Sequence, residues 1–218
     1  MTKAGLAQKV KERPIIFGAE SVRAILEGRK TQTRRVVQGL PPSISVAGGI
    51  PESDYQYFFT DFEQNLTKRC PYGRPWPYCD RLWVREAWGD VTLAFQSHEC
   101  EEPRVWAYRA DEAVHNSGGF LEHMGDSGIV CKRWRTPIFM PRWMSRIALA
   151  LTDVRVERLQ EISEADITAE GITEGDGVWA GSLRAAFRDG WDELNAKRGF
   201  PFKSNPFVWV LSFKRVTD

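Results

Sequence analysis

Ile147-Ala148-Leu149-Ala150-Leu151-Thr152-Asp153-Val154-Arg155-Val156-Glu157-Arg158-Leu159-Gln160-Glu161-Ile162-Ser163-Glu164-Ala165-Asp166-Ile167-Thr168-Ala169-Glu170-Gly171 carries the fold signal of this chain. Ile147, Leu149 and Leu151 alternate with the period of two that a strand requires. Val154, Val156 and Leu159 resume a looser alternation after a break at Thr152-Asp153. Two strands, or one long bent strand, satisfy this pattern. The period then changes. Ser163, with Asp166 three residues later, resembles a capping box with Asp in the place of Glu, and Ile162 with Ile167 occupy the hydrophobic-staple positions around it. Gly171 ends the helix early. Glu170 is left at the C-terminal edge, where the helix dipole disfavours a carboxylate unless something nearby compensates it.

Toward the N-terminus, residues 1–12 are polar and without pattern, a loose tail before a single domain over residues 13–218. Pro14 to Phe17 reads as a first strand. Val22, Ile25 and Leu26 give Ala19 to Glu27 one apolar helical face, with Gly28 placed as a left-handed C-cap. Arg81 to Trp88 reads as a strand with Leu82 and Val84 on one face and Trp83 and Arg85 on the other, and Val105 to Tyr108 and Arg133 to Phe139 read as further strands. Two insertions, about residues 39–75 and 99–130, interrupt this framework; the first holds an aromatic arm, Tyr55 to Phe62, and the second a glycine-rich, flexible stretch from Asp111 to Gly128. Toward the C-terminus, Leu183, Phe187, Trp191 and Leu194 stripe a helix from Ser182 to Lys197 that Gly199 closes, and Phe207 to Val216 alternates as a final strand. The order β, α, many β, α, α, β predicts an α+β fold, a small mixed β-barrel decorated by short helices rather than a parallel βαβ sheet.

The chain has 218 residues, 42% of them hydrophobic, and its 30 basic and 29 acidic residues leave a net charge of +1. Disorder is excluded, and any nucleic-acid contact must come from a local patch rather than from bulk charge. The four cysteines, Cys70, Cys79, Cys100 and Cys131, form no CxxC pair. Together with His98 they match none of the usual zinc spacings, so no metal is expected. No GxGxxG, Walker A or HExxH motif is present, so no cofactor is expected. The apolar run Ile147 to Leu151 is far too short to span a bilayer, and no signal-peptide pattern is visible, which predicts a cytoplasmic, reduced chain without membrane contact.

Chemistry concentrates in Gly28-Arg29-Lys30-Thr31-Gln32-Thr33-Arg34-Arg35. A run of charge is more often a solvated face than a site. The alternative is a pocket in which Lys30, its pKa depressed by burial or by Arg29, Arg34 and Arg35, accepts the hydroxyl proton of Thr33 three residues on. Trp83, Arg85, Trp88, Trp134 and Trp143 are candidates for stacking on a base, although a tryptophan in or beside a strand is more often core.

The Gly28–Arg35 stretch resembles the G-x-K-T-x-x-x-R signature of ASCH domains, which have the PUA-like fold. Asp80-Arg81-Leu82-Trp83-Val84-Arg85-Glu86 is similar to that family's G-D-x-L-x-V strand, with Cys79 where the family has glycine. Ser163 to Ile172 resembles its short acidic helix and Phe207 to Lys214 its closing strand. Cys70-Pro71-Tyr72-Gly73 and Trp143 resemble the larger members from phages and prophages. The resemblance implies a compact barrel with a cleft for RNA or a nucleoside. In the small bacterial members it implies an amidohydrolase that removes the acetyl group of N4-acetylcytidine. By position within the matching motifs, the family's catalytic lysine, threonine and glutamate fall on Lys30, Thr33 and Glu170. Arg29, Arg34, Arg35, Trp83, Arg85, Trp88 and Trp143 are left to bind the modified nucleoside, or the base in RNA or DNA. A non-catalytic RNA or modified-base binding module is the alternative, and ribonuclease action through the basic stretch a third option.

Overall fold

The computed structural model describes residues 10–37, 79–92, 105–116, 119–123, 130–173 and 182–216. They form a mixed α+β fold with two sheets and few helices, and neither sheet closes into a barrel among the described residues. The aromatic arm at 55–62, the loops at 39–49 and 70–77, and Cys70, His98 and Cys100 lie outside the described residues. No helix of the described residues is long and apolar enough to cross a membrane.

The described parts of Met1–Lys11, Thr31–Asp80 and Leu151–Lys214 make one compact unit, and those of Glu12–Lys30, Arg81–Ala150 and Arg215–Asp218 another. In the first unit, strand β2 (Gln32–Val36) pairs antiparallel with β10 (Phe207–Val216), Thr33 facing Leu211 and Arg35 facing Trp209. Helix α2 (Glu164–Ala169) starts as its sequence predicts: the Ser163 hydroxyl accepts the Asp166 amide. Ile162 and Ile167 are both buried, in one cluster with Leu159, Phe187, Trp191, Val208 and Val210. Gly171, at φ 87°, and Gly199, at φ 89°, close their helical segments in the left-handed region that glycine enters without steric cost. Helix α3 (Leu183–Asn195) buries Phe187 and Trp191, each worth about 1.5–3 kcal/mol. Leu194, read as part of that stripe, is 70% exposed, because the helix turns its fourth apolar position to solvent.

In the second unit, β1 (Glu12–Ile16) runs parallel to β3 (Arg81–Arg85), and β3 pairs antiparallel with the first residues of β9 (Ala148–Arg158). Strand β1 thus begins inside the stretch read as a tail. Of the two readings of Ile147 to Leu159, the single long strand is the one observed; β9 passes from the second unit into the first between Ala150 and Leu151. Helix α1 (Ala19–Leu26) buries Val22 and Ile25 and stops at Gly28, φ 77°.

The second sheet has the order β7-β6-β5-β4-β8, from β4 (Trp88–Thr92), β5 (Trp106–Tyr108), β6 (Ala113–Asn116), β7 (Gly119–His123) and β8 (Val130–Arg135). This corrects the reading of 111–128 as a flexible insertion: its described residues include two short antiparallel strands, the second starting at Gly119, and strands of four and five residues are too brief to show a period. The strand expected over Arg133 to Phe139 stops at Arg135, because Pro137 has no amide to give a ladder and starts a 3-10 turn instead. At Gly89 a Cβ would stand 2.7 Å from the Arg133 carbonyl oxygen, so only glycine fits the bulged β4–β8 pairing there. Cys79 takes no positive φ; among described non-glycine residues only Glu112 and Asn205 do.

Candidate functional site

Among the described residues the buried polar and charged side chains are Lys30, Gln32, Thr33, Arg34 and Glu86, and all but Glu86 follow directly on Gly28. The basic stretch is therefore not a solvated face. Burying such groups costs several kcal/mol unless partners are supplied, so the fold is organised around them. Arg29 and Thr31 keep to the surface, Arg29 ion-paired with Glu27 at 2.6 Å, and Arg35 is half-buried. In the second unit, Lys30 is 6% exposed, its amide donates to the Ala24 carbonyl at 3.0 Å, and its Nζ stands 5.8 Å from the centre of the Phe17 ring.

In the first unit, Thr31 fixes the entry to β2. Its amide donates to the Ala169 carbonyl at 2.8 Å and its carbonyl accepts from the Phe213 amide at 2.8 Å. The strand start is thereby tied to the last turn of α2 and to β10. Gln32 and Arg34, two apart on β2, share one face. Gln32 Nε2 donates to Asp166 at 3.1 Å and to the Ser212 hydroxyl at 3.4 Å, and its Oε1 accepts from Arg34. The Arg34 side chain, 1% exposed, meets three carboxylates: Glu157 at 3.3 Å, Asp166 at 3.2 Å and Glu170 at 3.4 Å.

Arg155 joins this network from β9, contacting Asp153 at 3.0 Å, Asp166 at 3.4 Å and, more closely, Glu157. Burial works to raise the Asp166 pKa, but hydrogen bonds from Gln32 and Ser163 and the charges of Arg34 and Arg155 hold it below the usual aspartate range. Arg34 also supplies the cation that Glu170 needs at the end of α2, and the Glu170 side chain is 8% exposed. Thr33, 4% exposed, stands between Gln32 and Arg34, so alternation turns its hydroxyl to the opposite face of β2. The structure brings Glu170 to Arg34 and leaves Thr33 on the other side of the same strand.

No family model, curated protein or solved structure matches this chain.

The aromatic candidates all belong to the second unit and divide by exposure. Trp83 is buried, with the Arg85 guanidinium 4.6 Å and that of Arg142 5.8 Å from its ring centre. Trp88 packs against Trp106, Tyr108, Met140 and Met144, and Trp134 against Ala107 and Val114. These three behave as core. Trp143 is 61% exposed, its ring edge-on to Trp106 with centroids 5.3 Å apart.

Sequence reading passed over three participants of the first network, Gln32, Glu157 and Arg155. Their signal is the i, i+2 spacing of Gln32 with Arg34 and of Arg155 with Glu157, which gives each pair one face of a strand. It also passed over a second polar centre. Glu86, 1% exposed, and Asp111 both bind Arg146. Burial pushes the Glu86 carboxyl up against the pull of Arg146, whereas Arg146 and the Ala113 amide hold Asp111 down against a burial effect that would raise it. Burial also pushes the Tyr108 hydroxyl up to about 12. Among the described residues no cluster of His, Cys, Asp and Glu is arranged to hold a metal ion.

Proposed function

We propose that this chain is an amidohydrolase that removes an acyl group from a modified pyrimidine nucleoside such as N4-acetylcytidine, on a PUA-like barrel of the ASCH type. The observation that carries the reading is the burial of the motif itself: Lys30 and Thr33 are 6% and 4% exposed, and the Glu170 side chain is 8% exposed. A lysine, a threonine and a glutamate withdrawn from water at the positions the resemblance assigns are what nucleophilic amide cleavage needs.

In this reading the Thr33 hydroxyl adds to the amide carbonyl carbon as Lys30 takes its proton. The carbon–nitrogen bond then breaks, with Glu170 delivering a proton to the departing exocyclic amine. Water hydrolyses the resulting threonine ester, which releases the carboxylate and restores Thr33.

The test is release of cytidine from N4-acetylcytidine by wild type, Lys30→Ala and Glu170→Gln, with circular dichroism confirming the fold of each. Wild-type turnover that falls about 10²- to 10⁴-fold in both variants is expected. Wild-type activity that persists in Glu170→Gln sinks the assignment. A second reading, a module that binds RNA or a modified base without turnover, is favoured by the engagement of Glu170 with Arg34 at 3.4 Å, which employs the carboxylate structurally. It expects no turnover, with salt-sensitive binding that depends on Arg34 and Arg35.

A further inference from the structure

Among the described residues the exposed large apolar side chains are Val10, Ile138, Phe139, Trp143 and Leu194. The middle three stand close together on two short 3-10 turns of the second unit, Pro137–Phe139 and Arg142–Met144, at 59%, 75% and 61% exposure. The neighbouring Met140 and Met144 are buried in one cluster with Trp106 and Tyr108, and that anchorage fixes which side chains face out. Arg85 Nη1 donates to the Ile138 carbonyl at 3.0 Å and Ser145 Oγ to the Val84 carbonyl at 2.8 Å, so the segment is also tied to β3. A single exposed apolar residue needs no explanation; three on one held frame mark a contact surface.

The charges around this apolar centre are mixed. Arg142 is paired with Glu12 and Arg135 with Asp90, so neither of those guanidinium groups is open to a ligand. Arg85 and the exposed Arg133 are in no ion pair among the described residues. Arg85 lies at the Ile138 end, over the Trp83 ring. Asp90 stands between Arg133 and Trp106 in the sheet register, and Trp143 packs edge-on to Trp106, which sets Arg133 at the Trp143 end. Residues 127–152 contain no acidic residue. The surface is thus an apolar centre with two closed ion pairs at its rim and uncompensated positive charge at both ends.

We propose that the Ile138–Trp143 surface docks an acidic segment of another protein, whose bulky apolar side chains cover Phe139 and Trp143 and whose carboxylates meet Arg85 and Arg133. Exposed Trp, Phe and Ile at the centre, with arginines and satisfied polar pairs around them, are the anatomy of a protein–protein contact. A phosphate backbone fits less well. Hydrogen bonds from Arg142 hold Glu12 below the usual glutamate range against the raising effect of burial, so a fixed negative charge stands at the rim, and Ile138 offers no ring on which a base can stack. A second copy of this chain is disfavoured, because a two-fold contact sets the acid-free segment, with Arg133, against itself. The docking surface and the amide chemistry proposed above are independent of each other.

The experiment pans a library of random peptides of about twelve residues, displayed on phage, against the full chain. The most enriched peptide is then synthesised with a fluorescent label and titrated by anisotropy with wild type, Phe139→Ser, Trp143→Ser and Arg133→Glu, each shown to be folded by circular dichroism. The expected peptides combine Asp or Glu with Phe, Leu or Trp. Affinity is expected to fall about tenfold in Phe139→Ser and in Trp143→Ser. In Arg133→Glu it is expected to fall about fivefold, more at low salt than at high. Phe139→Ser and Arg133→Glu carry the test where Trp143→Ser disturbs Trp106. No enrichment, enrichment of basic peptides, or variants that bind as wild type each overturn the proposal. A single-stranded RNA or an anionic-lipid vesicle that binds wild type and is lost in Phe139→Ser assigns the surface to that ligand instead and overturns it as well. So does self-association in sedimentation velocity that disappears in Phe139→Ser.

Discussion

Arg146 and Arg34 each lie among carboxylates, but they are held differently. Arg146 closes its fork completely, with Nε and Nη2 donating to Glu86 at 2.9 Å each and Nη1 and Nη2 to Asp111 at 2.7 and 2.9 Å, over the Tyr108 ring at 4.1 Å. Arg34 is shared by three carboxylates at 3.2–3.4 Å, and its buried Nε has no hydrogen-bond partner among the described residues. Bidentate geometry gives the strongest charge-assisted bonds and fixes orientation. The first arrangement is a lock. The second is divided: Arg34 and Arg155 share Glu157 and Asp166, and Arg34 also reaches Glu170.

The largest effect expected from this contrast is in Arg146→Ala, which strands the buried Glu86 carboxylate and lowers the free energy of urea unfolding by about 3–5 kcal/mol. Arg34→Lys is expected to cost less, about 1–2 kcal/mol, because Arg155 still faces Glu157 and Asp166 and a charge is retained. An equal loss in the two variants would erase the distinction. Acid comes next. The native pKa of Asp166 and Asp111 lies below the unfolded value, so their contribution is present above the unfolded pKa and is lost as pH falls through the native one. Thermal unfolding is therefore expected to drop between about pH 5 and pH 3, with a shallower slope in Asp166→Asn. Glu86 has the opposite sign, since its raised native pKa favours the protonated form, and Glu86→Gln is expected to steepen the acid loss. The smallest effect is in Arg29→Ala: its pair with Glu27 is exposed, and the unfolding free energy should move by no more than about 1 kcal/mol.

Much of the framework was legible because it has local causes. The capped start of α2, the glycines at 28, 171 and 199 and the whole span of β10 follow from side-chain periodicity and backbone permission over a few residues. The sheet β7-β6-β5-β4-β8 was not, because its strands are short and their pairing depends on partners distant in the chain. The site divides in the same way. Lys30 and Thr33 were singled out by their motif and Glu170 by its awkward place at a helix end. The carboxylate that answers Arg146 could be read only as an isolated Glu86 after an apolar strand, since its partner stands 60 residues away.

The interleaving of segments has a consequence for how the chain is made. Gln32 and Ser212, bonded through their side chains, are separated by 180 residues, and β2 finds its partner strand only in β10. During synthesis β2 lacks that partner until β10 has been made. Contacts of such long sequence separation form slowly because loop closure precedes any gain from pairing. Truncation before Phe207 would therefore remove the partner strand of β2 and yield a polypeptide short of its native topology and prone to aggregate.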